Sequence, residues 1–140
     1  MGELSATAYA AKMFPNRQRL ESKTPGNGQQ GQFDQIYMDG DRVVIIEAKG
    51  GRAELGAARD LNGDFAQQGS KSYMEAIIQN YRDKADAARR AGTPDVKLES
   101  TAAALESAFR FEKIDYFAVK QRNSDLGVAD TFELTKFNIW

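Results

Sequence analysis

Neither cysteine nor histidine occurs anywhere in the 140 residues. Without thiols there is no disulfide framework and no thiolate nucleophile or ligand. Without imidazole there is no zinc site of the Cys/His kind, no Ser-His-Asp triad, no HExxH protease and no nuclease with histidine as general base. Long apolar runs are missing too, since none approaches the roughly 18 residues that suggest a membrane span. The opening "MGELSATAYAAKMF" lacks the charged-then-apolar order of a secretory signal. Nor is either charge in surplus: 19 Lys and Arg offset 20 Asp and Glu, for a formal net charge of −1. Binding a polyanion therefore requires a local basic patch. Hydrolytic chemistry is left with carboxylates, lysines, hydroxyls or an oxygen-bound metal.

What is present is a globular composition, 41% hydrophobic and 28% charged, in a length that suits one domain with a real core. Ala6, Tyr9, Ala10 and Met13 recur at helical spacing, so a helix is predicted from Glu3 to about Leu20, with Pro15 working against its continuity. The turn formers of Glu21 to Gly31 predict a loop. Strands are predicted over Gln32 to Tyr37 and Asp41 to Lys49, joined through the hairpin turn signal Asp39-Gly40. Gly50 to Ala66 reads as irregular. Tyr73, Ile77, Tyr81 and Ala85 then stripe a long helix from Gln67 to about Ala91, stopped by the Gly92-Thr93-Pro94 run. A second helix over Leu98 to Phe109 follows. Strands at Lys113 to Lys120 and Thr131 to Ile139 flank the polar loop Gln121 to Asp130. The order α-β-β-α-α-β-β predicts an α/β (α+β) domain with a small mixed central sheet flanked by helices.

The predicted strand ending in Lys49 raises a physical question. Val43 to Ile46 are apolar on both faces, as in a central strand covered on each side. Yet the strand finishes in Glu47-Ala48-Lys49. Side chains alternate along a strand, so Glu47 and Lys49 share the face of Val43 and Ile45, while Val44, Ile46 and Ala48 face the other layer. Asp34 stands thirteen positions before Glu47, on the preceding strand, and hairpin pairing brings the two carboxylates together. An isolated Glu-x-Lys at a strand end is most often solvated surface. Here an aspartate on the first strand, a charged tip on the most apolar strand and a Gly-Gly pair coincide, at the sheet end where sites form.

Asp34 and Glu47-x-Lys49 resemble the signature of the PD-(D/E)xK, or restriction-endonuclease-like, nucleases, with Phe33 in the place of the usual proline. The blocks "GQFDQIY", "VVIIEAKGG" and "QGSKSYMEAII" are similar to toxin domains of that fold in bacterial polymorphic and contact-dependent growth inhibition toxins. The resemblance covers about Gly31 to Tyr81. It implies a metal-dependent endonuclease acting on nucleic acid, DNA before RNA. It further implies a toxin module from the C-terminal part of a larger protein, delivered from one bacterial cell to act in the cytoplasm of another. A cognate immunity protein goes with such a toxin.

The implied metal shell is Asp34, Glu47 and the backbone carbonyl of Ala48, joined by a glutamate from the end of the first helix, for which Glu21 is the nearest match. Oxygen ligands suit Mg²⁺ or Mn²⁺ rather than zinc. Lys49 would orient or deprotonate the attacking water or steady transition-state charge. By the same resemblance Gln68 faces the site from the start of the long helix, and Tyr73 matches a family tyrosine while also belonging to the core stripe. Lys49, Arg52, Lys71 and Arg82, with Arg89 and Arg90 further along, would form the basic rim that tracks a phosphate backbone. Two other functions are compatible with the same residues: a housekeeping repair or restriction nuclease, and a catalytically silent binding module. Asp60 to Phe65 looks like the start of a calcium loop, but Phe65 and Lys71 stand where glycine and glutamate are required, which excludes one.

Overall fold

A computed structural model describes residues 2–20, 33–49, 57–59, 62, 64–67, 69–123 and 129–140. Of these, 2–6, 48–49, 57–59, 65, 120–123 and 129–133 are described by backbone alone. The chain folds as a mixed α+β domain. Among the described residues the helices are α1 (Gly2–Met13), α2 (Lys71–Arg90) and α3 (Val96–Arg110). Its strands are β1 (Gln18–Leu20), β2 (Gln35–Asp39), β3 (Arg42–Lys49), β4 (Ala57–Arg59), β5 (Phe65–Gln67), β6 (Ile114–Asn123) and β7 (Ala129–Phe137). Five strands form one sheet in the order β1-β2-β3-β6-β7, and β4 and β5 make a separate two-stranded ribbon. All neighbours in the large sheet are antiparallel except β3 and β6, whose parallel register runs from Val43 opposite Ile114 to Lys49 opposite Lys120. Parallel neighbours need a long crossover, supplied here by everything from β4 to α3.

The doubly apolar β3 is covered on both sides, as its sequence demands. Val43 and Ile45 join Ile36, Ile114 and Tyr116 beneath α2 and α3, whose Met74, Ile77, Tyr81, Leu98, Ala102 and Leu105 complete the larger core. Val44 and Ile46 face the other way, into a smaller cluster of Tyr37, Phe117, Val119 and Ala10 of α1, with Tyr9 and Phe14 packed against it. The hairpin β2–β3 closes through Gly40 and Asp41, with Asp39 opposite Arg42. Gly40 takes φ +64°, which a two-residue loop of this kind requires and glycine supplies without strain.

Several predicted boundaries are corrected. The first helix stops at Met13 rather than Leu20, and Gln18 to Leu20 pair with Met38 to Ile36 as an edge strand. Pro15 explains the stop, because its ring disfavours helical geometry at Phe14 and it carries no N–H to continue the ladder. The segment read as irregular up to Ala66 contains β4 and the start of β5. The long helix begins at Lys71, not Gln67: Gln67 ends β5, and Ser70 caps the helix by accepting the Tyr73 N–H at 3.1 Å. The last two strands run into the polar segment from both sides, to Asn123 and from Ala129. Among the described residues no helix is long and apolar enough to cross a membrane.

Candidate active site

The hairpin register fixes where Asp34 meets Glu47. Gln35 lies opposite Ile46 as the outermost registered pair, so Asp34 and Glu47 are the next two residues across the same ladder. The backbone N–H of Asp34 donates to Glu47 Oε2 at 3.3 Å. Glu47 is only 2% exposed. A carboxylate that buried is tolerated only where donors compensate its lost hydration. A second donor is Tyr116 of β6, whose hydroxyl reaches Glu47 Oε1 at 3.1 Å. Tyr116 is itself fully buried.

Two more tyrosines, both on α2, close the site from above. The Tyr81 hydroxyl accepts the Phe33 N–H at 3.1 Å, which anchors the residue before Asp34. The Phe33 ring stacks on Tyr81 with centroids 6.0 Å apart and meets Tyr116 edge-on at 5.8 Å. This gives Phe33 a reason to stand where the resembled signature has proline: a proline there would have no N–H to give Tyr81. Burial, with the nearby charges of Glu47 and then Asp34, holds the Tyr73 hydroxyl well above the usual phenol range. Tyr81 is raised as well, first by burial, against the opposing pull of its Phe33 bond and with Glu47, Asp34 and Tyr73 adding to the rise. Both phenols therefore stay neutral beside Glu47 and Asp34. The Tyr73/Ile77/Tyr81/Ala85 stripe is buried throughout, so Tyr73 serves the core and faces the carboxylates at once.

The other predicted site residues are brought together only in part. The backbone of Ala48 and Lys49 continues β3 opposite Val119 and Lys120, while their side chains lie outside the described residues. Glu21, Gln68 and Arg52 lie outside them as well. Among the described residues no three His, Cys, Asp or Glu side chains gather into a metal-binding group. The donor set to test is therefore the pair Asp34 and Glu47 with a backbone carbonyl, all hard oxygen, which suits Mg²⁺ or Mn²⁺.

The helix pair engages part of the predicted basic rim. Arg82 forks onto Glu106 of α3, its Nε 2.7 Å from Oε1, and Arg89 forks onto Glu99 at 2.8 and 2.7 Å. These guanidiniums are tied to α3 carboxylates, which a charge run read along one helix does not reveal. Lys71 stays exposed, with its Nζ 5.8 Å from the Phe109 ring and 5.9 Å from the Trp140 ring. At the start of β3, a cleft of about 310 Å³ is lined by Arg42, Glu112, Asp115, Lys136 and Trp140. Its charges of both signs cancel, so it offers no net attraction for phosphate.

Sequence reasoning passes over Tyr116, since in the predicted strand Lys113 to Lys120 it is one aromatic among apolar neighbours. Only the parallel register, with Tyr116 opposite Ile45, carries its hydroxyl to Glu47. No protein-family model matches the chain, and no curated protein and no solved structure matches it.

Proposed function

We propose that this chain is a metal-dependent nuclease that hydrolyses phosphodiester bonds of nucleic acid, DNA before RNA. The observation that carries the proposal is the buried Glu47 carboxylate at the end of the most apolar strand, held against the Asp34 backbone with both acidic charges felt by one tyrosine. A hard divalent cation is the natural partner of two carboxylates brought to the same end of a hairpin. Asp34, Glu47 and the Ala48 carbonyl would hold Mg²⁺ or Mn²⁺; Glu21 loses its place at the end of the first helix, because α1 stops at Met13 and β1 runs up to Leu20. When bound, the ion supplies positive charge to the phosphoryl oxygens and acidifies water.

The protein's own part is to position and to move protons. Glu47 is held in place by hydrogen bonds from the Tyr116 hydroxyl and the Asp34 N–H. Lys49 would orient the attacking water or accept its proton. Tyr73, neutral and buried beside the acidic residues, would present its hydroxyl to an incoming phosphate oxygen. The arrangement of helices around a mixed sheet suits the PD-(D/E)xK topology, and the role as a delivered antibacterial toxin with an immunity protein rests on the sequence blocks alone. Incubation with supercoiled plasmid tests the reading. Cleavage is expected in Mg²⁺ and not in EDTA, and Asp34→Ala, Glu47→Gln and Lys49→Ala should each lower it by roughly 100-fold or more. Wild-type cleavage by Asp34→Ala would overturn the assignment.

A further inference from the structure

Glu47 and Tyr116 are 69 residues apart in sequence, sit on neighbouring parallel strands and are both buried. The Tyr116 ring has no freedom to swing away. It packs edge-on to Phe33 at 5.8 Å on one side and lies 4.8 Å from Phe137 on the other. Phe137 is in turn fixed against the turn before α2, where a Cβ added at Gly69 would come within 2.4 Å of its ring. A hydroxyl so rigidly held does more than satisfy a polar atom. By occupying Oε1 of Glu47 it leaves Oε2 directed at Asp34.

We infer that Tyr116 is the positioning residue of the acidic pair, its hydroxyl selecting the one Glu47 orientation that faces Asp34. The inference rests on the proposed metal-dependent reading for its consequence, though not for its geometry. Partners of this kind behind a metal ligand typically change metal affinity or activity by about 10- to 100-fold when removed.

Tyr116→Phe keeps the ring and removes only the hydroxyl. In the metal-free variant, the Asp34 amide proton is expected to move upfield and to exchange faster, while the amides of Val43 to Ile46 keep their shifts and report an intact sheet. Mn²⁺ titration followed by electron paramagnetic resonance should show affinity lowered by about 10- to 100-fold. The same substitution in a Glu47→Gln background should lower it no further. An unchanged Asp34 amide in Tyr116→Phe, or an equal loss of Mn²⁺ affinity with and without Glu47, would overturn the inference. A wild-type protein that binds no Mn²⁺ but whose Asp34 amide responds to Tyr116→Phe would sink the nuclease reading and leave the positioning role standing.

Discussion

Glu112 holds φ +56°, in the left-handed region that disfavours every side chain with a Cβ. It stands where α3 ends. Its N–H donates to Phe109 O at 3.2 Å and that of Lys113 to Ala108 O at 2.7 Å, the paired bonds of a Schellman cap. The end of α2 is built identically, with Gly92 at φ +79° and bonds from Gly92 N–H to Arg89 O and from Thr93 N–H to Ala88 O. A left-handed non-glycine residue costs about 1–2 kcal/mol, whereas glycine loses about 0.5–1 kcal/mol more backbone entropy on folding. The strain is the larger effect. Glu112→Gly should therefore stabilise the protein by about 0.5 kcal/mol, and Gly92→Ala, whose added Cβ meets nothing within 4 Å, should destabilise it by about 1 kcal/mol through conformation alone. Thermal melts of the two variants that move in the same direction would refute this account of the caps. Gly92 marks its helix end in the sequence, while Glu112 hides an equal one, because nothing about a glutamate announces a positive φ.

At the level of elements, α2 and α3 meet through a buried seam and a charged edge. Ile77, Ala102 and Leu105 lie fully inside the larger core, whereas the Arg82 and Glu106 side chains are each more than a third exposed. Water screens that pair, so its geometry overstates its worth. Urea denaturation should show Leu105→Ala losing about 2–5 kcal/mol and Arg82→Ala less than about 1 kcal/mol. Equal losses would mean that the charged edge, not the seam, docks the helices. The α2 seam was legible from the spacing of Tyr73, Ile77, Tyr81 and Ala85, since a period of 3.6 survives in sequence. The Asp34–Glu47 meeting was legible as well, because one tight turn between two strands fixes their register. β1 was not, because three residues with an exposed glutamine and arginine become a strand only by pairing with β2. β4 and β5, also three residues each, fall below the length at which alternation is visible. The Tyr116 contact was illegible for a different reason: parallel pairing across a long crossover leaves no local trace.

Across the whole molecule, three strands are clipped together at the end of the sheet away from Glu47. Asp115 of β6 accepts two bonds from Arg42 of β3, at 2.7 and 2.9 Å, and lies 3.7 Å from Lys136 of β7. The Arg42 hydrogen bonds, with the charges of Arg42 and Lys136 behind them, hold the Asp115 carboxyl below its ordinary 3.8. A depressed carboxyl stabilises the fold fully above that ordinary value, and the contribution is lost as pH falls through the lower folded value. Arg42 is 42% exposed, which keeps the contribution near the surface range. Asp115→Asn is thus expected to cost about 1 kcal/mol at neutral pH, with the deficit shrinking as pH drops below 3.8. A deficit that instead persists unchanged at pH 2 would show that packing, not charge, is what the substitution removes.

The parallel pairing of β3 with β6 also sets an order in time. Glu47 leaves the ribosome well before Tyr116, and a loop spanning the 69-residue separation must close before the two can touch. Closing a loop of that length costs about 4 kcal/mol of chain entropy, recovered only once β6 has docked and the crossover helices have packed. The hairpin carrying Asp34 and Glu47 can form early and locally, but its acidic pair stays without the Tyr116 hydroxyl until β6 has been made. Maturation of the candidate site is thereby tied to the synthesis and docking of β6, and a chain halted before β6 holds the carboxylates without the hydroxyl that sets them.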